Sequence, residues 1–181
     1  MNREEAWKLV EENVSGRNLR NHMLSVEAIM RALARRFGED EESWGLAGLL
    51  HDLDYDETFE TPEKHTTIAV MKLKELGVSD AILRTIQAHN ELVTPENTME
   101  KAIICADDIT GMITACALVR PSKKVADVKV KSVKKKLKDK SFAAGANRER
   151  IKSCENIDVP LDEFIALSLE SMTGIADQIG L

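Results

Sequence analysis

The apolar positions of this chain recur at helical spacing from one end to the other. Residues 3–14 carry Ala6, Trp7, Leu9 and Val10, which predicts a short amphipathic helix. From about 18 to 37, Leu19, His22/Met23, Val26, Ile29/Met30 and Leu33 follow at one-turn intervals and stop at Gly38, so His22 is expected on the buried side. A third helix is predicted from about Asp40 through Trp44, Leu46, Ala47, Leu49 and Leu50 into the doublet His51-Asp52. Residues 53–60, LDYDETFE, break the period and predict a solvated acidic loop, with Asp54, Asp56, Glu57 and Glu60 as support for neighbouring polar side chains or a selectivity gate as the alternative. Thr61-Pro62-Glu63 has the chemistry of a helix start, with Thr as the cap and Pro in the first turn. His65 then falls in the first turns of a helix ending at Gly77. Ser79 is expected to cap a helix with Ile82, Leu83, Ile86 and His89 on one face. A longer helix, about 97–119, carries Ile103, Ile104, Asp107/Asp108, Met112 and Ala115, and Pro121 closes it. Beyond it come a lysine-rich helix, a small-residue loop at 141–146, a charged helix from Asn147 and an apolar helix at about 161–179. No stretch has the alternation of a strand, and no internal repeat is visible. The expected fold is all-α, a single-domain helical bundle over 1–181.

Composition fits this picture. Apolar residues are 43% of 181, enough for a core, while aromatics are only 4%. The net charge of −6 argues against general nucleic-acid binding, but the charge is uneven. Residues 123–140 hold nine lysines against Asp127 and Asp139, so this stretch is +7 and the remainder is −13. Val130, Val133 and Leu137 recur at helical spacing there, which makes the lysines the wet side of an amphipathic helix. The alternative is a rim that attracts a polyphosphate or nucleotide tail, with Arg120, Lys123 or Arg148. Cys105, Cys116 and Cys154 are odd in number and lack CxxC spacing, the usage of reduced thiols in the cytoplasm, the first two as core filler. No apolar signal core opens the chain, no apolar run approaches spanning length and QIGL is no lipidation motif, so a cytoplasmic protein without a membrane partner is expected.

The candidate chemistry lies in the histidines. His22, His51, His65 and His89, the only four, each sit on or at the end of a predicted helix, with the doublet His51-Asp52 and the pair Asp107/Asp108 alongside. A lone histidine on an apolar helix face is usually a satisfied core residue. A buried carboxylate, by contrast, is costly unless paired or metal-bound, and here two occur in apolar helical contexts. Imidazole nitrogen and carboxylate oxygen together suit divalent Fe, Mn, Co, Ni or Zn, with Mg less well matched.

His22, His51-Asp52 within LAGLLHDLDYD, and Asp107 within ICADDITGMITA together resemble the H…HD…D signature of the HD superfamily of metal-dependent phosphohydrolases. The additional His65 and His89 are similar to the pattern of members that hold two metals. The resemblance is firm over about 18–120, leaving about 121–181 as a C-terminal helical extension whose SFAAGANRERI and LDEFIALSLESM also look like small bacterial members. It implies that His22, His51, Asp52 and Asp107 are ligands of one metal, with Asp52 the bridge, and His65 and His89 ligands of a second. Asp108 stays open as the alternative to Asp107. The implied activity is hydrolysis of a phosphate mono- or diester of a nucleotide or small phosphorylated metabolite by metal-activated hydroxide, with Asp52 catalytic as the bridge. Two divalent ions against two aspartates leave the centre at about +2, a trap for a phosphate oxygen.

Other classes lack their residues. There is no HExxH or ExxH, and His89-Asn90-Glu91 has no P-C-x-x-C to make a zinc deaminase. Walker, GxGxxG and GxSxG motifs are missing too. Two rivals remain: a di-iron oxygenase on the same ligands, and a non-catalytic phospholigand sensor. Substrate identity and oligomeric state stay open.

Overall fold

The computed structural model describes residues 1–181 as helices and turns without a strand. The helices are α1 (Arg3–Asn13), α2 (Arg17–Phe37), α3 (Glu41–Leu50), α4 (Tyr55–Thr58), α5 (Thr67–Glu75), α6 (Asp80–His89), α7 (Thr98–Leu118), α8 (Val130–Leu137), α9 (Arg148–Lys152), α10 (Leu161–Gly174) and α11 (Ala176–Ile179). Three 3₁₀ turns lie at Pro62–Lys64, Val125–Asp127 and Ser153–Ile157. No helix is long and apolar enough to cross a membrane.

Local chemistry sets the ends of these elements. Asn2 and Glu5 form a reciprocal capping box that starts α1. Asp40 accepts the Ser43 N–H at 2.8 Å to start α3, and Asn97 accepts the Glu100 N–H at 3.0 Å to start α7. Gly38, at φ 70°, takes the left-handed conformation that ends α2.

The two 21-residue helices, α2 and α7, pack against each other at the centre. α3 and α10 lie on α2, and α6, α8 and α9 lie on α7. One apolar cluster joins these layers from Ala6 to Ile179, with Phe164, Met23, Ile29 and Leu49 among its fully buried members.

The α2–α3 contact is unusually close because of Gly48. A Cβ there would stand 3.0 Å from the Cα and N of Glu27 and from the carbonyl carbon of Val26, all backbone atoms of α2. Those atoms lie about one turn past His22, and His51 follows Gly48 by one turn. The close approach therefore sets the separation of the two histidines. Gly48→Ala is expected to force the helices apart and cost about 1–3 kcal/mol, the usual range for overpacking. Denaturant unfolding checks the stability, and metal affinity is expected to fall with it.

The structure departs from the sequence reading in several places. Residues 53–60 are not a uniformly solvated loop: Tyr55–Thr58 form α4, and Asp54 is 1% exposed. Its neighbours in the chain, Asp56, Glu57 and Glu60, do face solvent. Thr61 makes no side-chain cap, and the turn it opens is a 3₁₀ turn that ends at Lys64. His65 consequently lies in a break before α5, followed by Thr66 at φ 70°, and not within a helix. Ser79 precedes α6 without a side-chain capping bond. The last apolar stretch is interrupted at Ile175, dividing α10 from α11. Cys154 is buried like Cys105 and Cys116, and all three are free thiols. Val133 and Leu137 are buried on α8, with its lysines outward, as amphipathic spacing requires.

Candidate metal centre

Five elements deliver six side chains to one place. α2 presents His22, the end of α3 presents His51 and then Asp52, the break before α5 presents His65, α6 ends on His89, and α7 presents Asp107. His22 Nε2 lies 3.1 Å from His51 Nε2, and His65 Nε2 lies 3.2 Å from His89 Nε2. Asp107 Oδ1 stands 3.1 Å from His22 Nε2 and 3.9 Å from His51 Nε2.

Asp52 sits between the two histidine pairs. Its Oδ2 faces His51 Nε2 at 3.3 Å and His22 Nε2 at 3.6 Å. Its Oδ1 faces His65 Nε2 at 3.1 Å and His89 Nε2 at 3.4 Å. The donor atoms of His22, His51 and Asp107 lie within 4.8 Å of one another, as do those of His51, Asp52 and His89.

Hydrogen bonds on the far side of each ring set the tautomers. His51 Nδ1 lies 2.8 Å from the Gly48 carbonyl and His89 Nδ1 lies 2.6 Å from the Ile86 carbonyl, acceptors that require an N–H. His65 Nδ1 donates to Asp54 Oδ1 at 2.9 Å. The Thr110 hydroxyl donates to the Asp107 carbonyl at 2.8 Å, so it accepts from His22 Nδ1–H, also at 2.8 Å. With every Nδ1 donating outward, all four Nε2 lone pairs converge. Two lone pairs facing each other at about 3 Å repel unless a cation lies between them. Nitrogen lone pairs and carboxylates with anchored far sides form a donor set that fits divalent transition metals.

Protons are the alternative cations, and the ionisation of the cluster reflects this. Burial opposes a charge on His51, but Asp52, by charge and hydrogen bond, outweighs it with Asp107 and pushes the pKa up to about 9. Burial likewise opposes a charge on His65, and hydrogen bonds to Asp52 and Asp54 raise it to about 9. In the wholly buried His89, desolvation prevails over Asp52 and lowers the pKa. Burial would raise Asp52, yet His51, followed by His65 and His89, holds its carboxyl well below the usual range. Asp107 is lowered to about 2, with the hydrogen bond and charge of His22 overcoming burial.

Those shifts give a signed prediction for the cation-free protein. His51 and His65 have folded values near 9 against an ordinary 6.5, so their stabilisation is complete below 6.5 and is lost as pH rises through 9. His89, shifted the other way, acts in the opposite sense on the acid side. Thermal unfolding in chelator is expected to show a falling melting temperature from about pH 6.5 to 9. The metal-loaded protein should lack that decline, since ligated imidazoles are already neutral.

Asp107, and not Asp108, points into the cluster. Asp108 turns outward, accepting the Asn147 N–H at 2.6 Å and facing Arg150 Nε at 2.7 Å. Burial raises the Asp108 pKa against that backbone hydrogen bond. Two further residues complete the centre: Asp54, for which support of the ligands is the sequence's alternative to a solvated loop, and Arg150, to which the sequence does not point. Asp54 accepts from His65 and from the backbone N–H groups of Thr66 and Ala69, at 3.1 and 2.8 Å. Arg150, from α9, donates to Asp107 Oδ2 at 3.1 Å and to the His89 carbonyl at 2.9 Å. Asp54 carried a signal, an acid in the apolar stretch LLHDLDY; Arg150 carried none. Arg150→Ala is expected to weaken metal binding about 10–100-fold, the usual cost of losing a ligand's supporting partner, while Arg150→Lys restores part of it. A competitive chelator titration measures both.

Residues 19–112 match the HD domain family. Among curated proteins, the chain is 30% identical over 94 residues to Ribonuclease Y of Oleidesulfovibrio alaskensis, covering 52% of this chain and 18% of that protein. Ribonuclease Y of Fervidobacterium nodosum is 31% identical over 147 residues, 74% of this chain and 26% of that protein. Ribonuclease Y of Sulfurovum sp. is 27% identical over 169 residues, 91% of this chain and 33% of that protein. The chain thus spans only 18% to 33% of the length of these relatives. No solved structure matches it.

Proposed function

Since the chain belongs to the HD domain family, we propose that it is a metal-dependent phosphohydrolase that cleaves a phosphate mono- or diester of a nucleotide or small phosphorylated metabolite. The observation that carries this reading is the position of Asp52, with one oxygen toward His22 and His51 and the other toward His65 and His89. That arrangement supports two divalent cations sharing one carboxylate. His22, His51 and Asp107 would hold one, His65 and His89 the other, drawn from Fe, Mn, Co, Ni or Zn, with Mg less suited to imidazole. Bound there, such cations supply positive charge for phosphate oxygens and acidity for a nearby water. The chain's own part is orientation. Gly48, Ile86, Asp54 and Thr110 fix the imidazole tautomers, and Arg150 holds Asp107 in place while also binding Asp108. Burial keeps bulk water from His51, which is 0% exposed, while the side chains of His22 and Asp107 are 24% and 22% exposed on the open side where a substrate can enter.

The relatives' name, ribonuclease, denotes phosphodiester cleavage and supports keeping diesters within the substrate class, although they are much longer chains. A phospholigand sensor built on this fold has no need of the complete donor set. An oxygenase is separated by experiment: elemental analysis of freshly purified protein, then phosphatase, nucleotidase and phosphodiesterase assays with each metal under anaerobic conditions. About two metals per chain and ester hydrolysis with Mn or Co in the absence of oxygen are expected. Oxygen consumption without hydrolysis would overturn the proposal.

A further inference from the structure

Gly111 lies inside α7, one turn past Asp107 and next to Thr110, whose hydroxyl anchors His22. Glycine in a helix interior destabilises the helix relative to alanine, so its presence calls for a cause. Gly48 has one, the close approach of α2. Gly111 has none in the packing: a Cβ there would meet nothing within 4 Å. Nor does its backbone need glycine, for it is not among the positive-φ glycines, which are Gly38, Gly77 and Gly180.

What Gly111 does border is a cleft of about 420 Å³ between α7 and the loop 143–146. His22 and Asp107 stand at one end of this cleft and Leu118 at the other. At 1.5 Å per residue the α7 floor from Asp107 to Leu118 runs about 16 Å. Gly111, Ala115 and Leu118 are on that floor together with Thr110 and Thr114, and three alanines and a glycine make up the opposite wall. Its charged side chains, His22 aside, are Asp107 and Asp108, both at the metal end. Asp108 is occupied by Arg150 and the Asn147 N–H.

We infer that Gly111 keeps this cleft open for the organic part of the substrate, and that this part is a flat, uncharged aromatic or heteroaromatic ring whose phosphate sits at the metal centre. Methyl-lined walls and a missing side chain suit a ring face. They offer no cations for a polyphosphate, and of the two threonine hydroxyls in the lining that of Thr110 is already engaged by His22 and the Asp107 carbonyl, which leaves Thr114 alone for a sugar. The inference rests on the phosphohydrolase reading, and its test separates the two.

Methylphosphonate and phenylphosphonate carry the same charged group and differ only in the ring. Calorimetric titration of the Mn-loaded protein is expected to show phenylphosphonate binding about tenfold more tightly. Gly111→Leu should abolish that preference and leave methylphosphonate affinity unchanged, with Gly111→Ala in between. Because leucine and alanine are better helix formers, both variants should melt no lower than the parent, which rules out misfolding as the cause. A ring preference that is absent, or that survives Gly111→Leu, with methylphosphonate still bound, overturns the cleft inference alone. Binding of neither phosphonate overturns the phosphohydrolase reading and this inference with it.

Discussion

Asp52→Asn is expected to lose metal from both halves of the centre while keeping the helical fold. The carboxylate has oxygens 3.1–3.6 Å from all four Nε2 atoms, so it contributes to each histidine pair. An amide of the same shape has one oxygen, and its NH₂ must face one of the pairs. There it can hydrogen-bond to lone pairs that would otherwise face a cation, which preserves packing and excludes metal from that side. The overall charge of the donor set also falls from −2 to −1, weakening the other side. Loss of a mere supporting partner costs about 10–100-fold in metal affinity, so if Asp52 is the proposed shared ligand its loss should cost at least about a hundredfold, with hydrolysis falling to match. His51→Ala should act in the same direction. Metal content by elemental analysis and helicity by circular dichroism test the pair of claims, and unchanged stoichiometry in Asp52→Asn would refute the bridging role.

Asp54→Ala should be the most damaging change among the acids of the 53–60 stretch. Its buried carboxylate receives His65 Nδ1–H and the N–H groups of Thr66 and Ala69. Each donor left without an acceptor in such a place costs about 1–3 kcal/mol, so the sum is about 3 kcal/mol or more. For a chain of this size that lowers the melting temperature by about 6–12 °C. The backbone it holds is already unfavourable, with Thr66, a β-branched residue, at φ 70°. Once freed, His65 can rotate away from His89 and metal affinity should fall as well. Asp54→Asn, which keeps an acceptor, is expected to lie between. By contrast, Ala at exposed Glu60 should be nearly neutral in both thermal unfolding and metal titration.

The contrast between Asp54 and Glu60 shows where sequence reading stops. Both belong to one acidic stretch with no periodicity; the apolar neighbours of Asp54 hint at burial, but not at what it would face. The pattern LLHDLDYD places His51-Asp52 at the end of an apolar helix, because helical spacing and the break after it are properties of neighbouring residues. Which way Asp54 turns depends on the N–H groups of Thr66 and Ala69, presented by a 3₁₀ turn and a left-handed residue that spacing does not encode. Arg150 is hidden for the same reason: it reaches Asp107 across 43 residues.

The sequence by itself determined the all-α class, most of the helix ends and the set of histidines and aspartates, because caps, glycine stops and 3.6-residue spacing are short-range chemistry. Only the tertiary structure decided that Asp107 and not Asp108 faces the cluster, that all four Nε2 lone pairs converge, and that Asp52 lies between two histidine pairs. These outcomes depend on helices brought together by burial of a common apolar core and on the closeness that Gly48 permits. The side chains that meet there come from distant parts of the chain, and their orientation is fixed by acceptors that packing alone brings within reach.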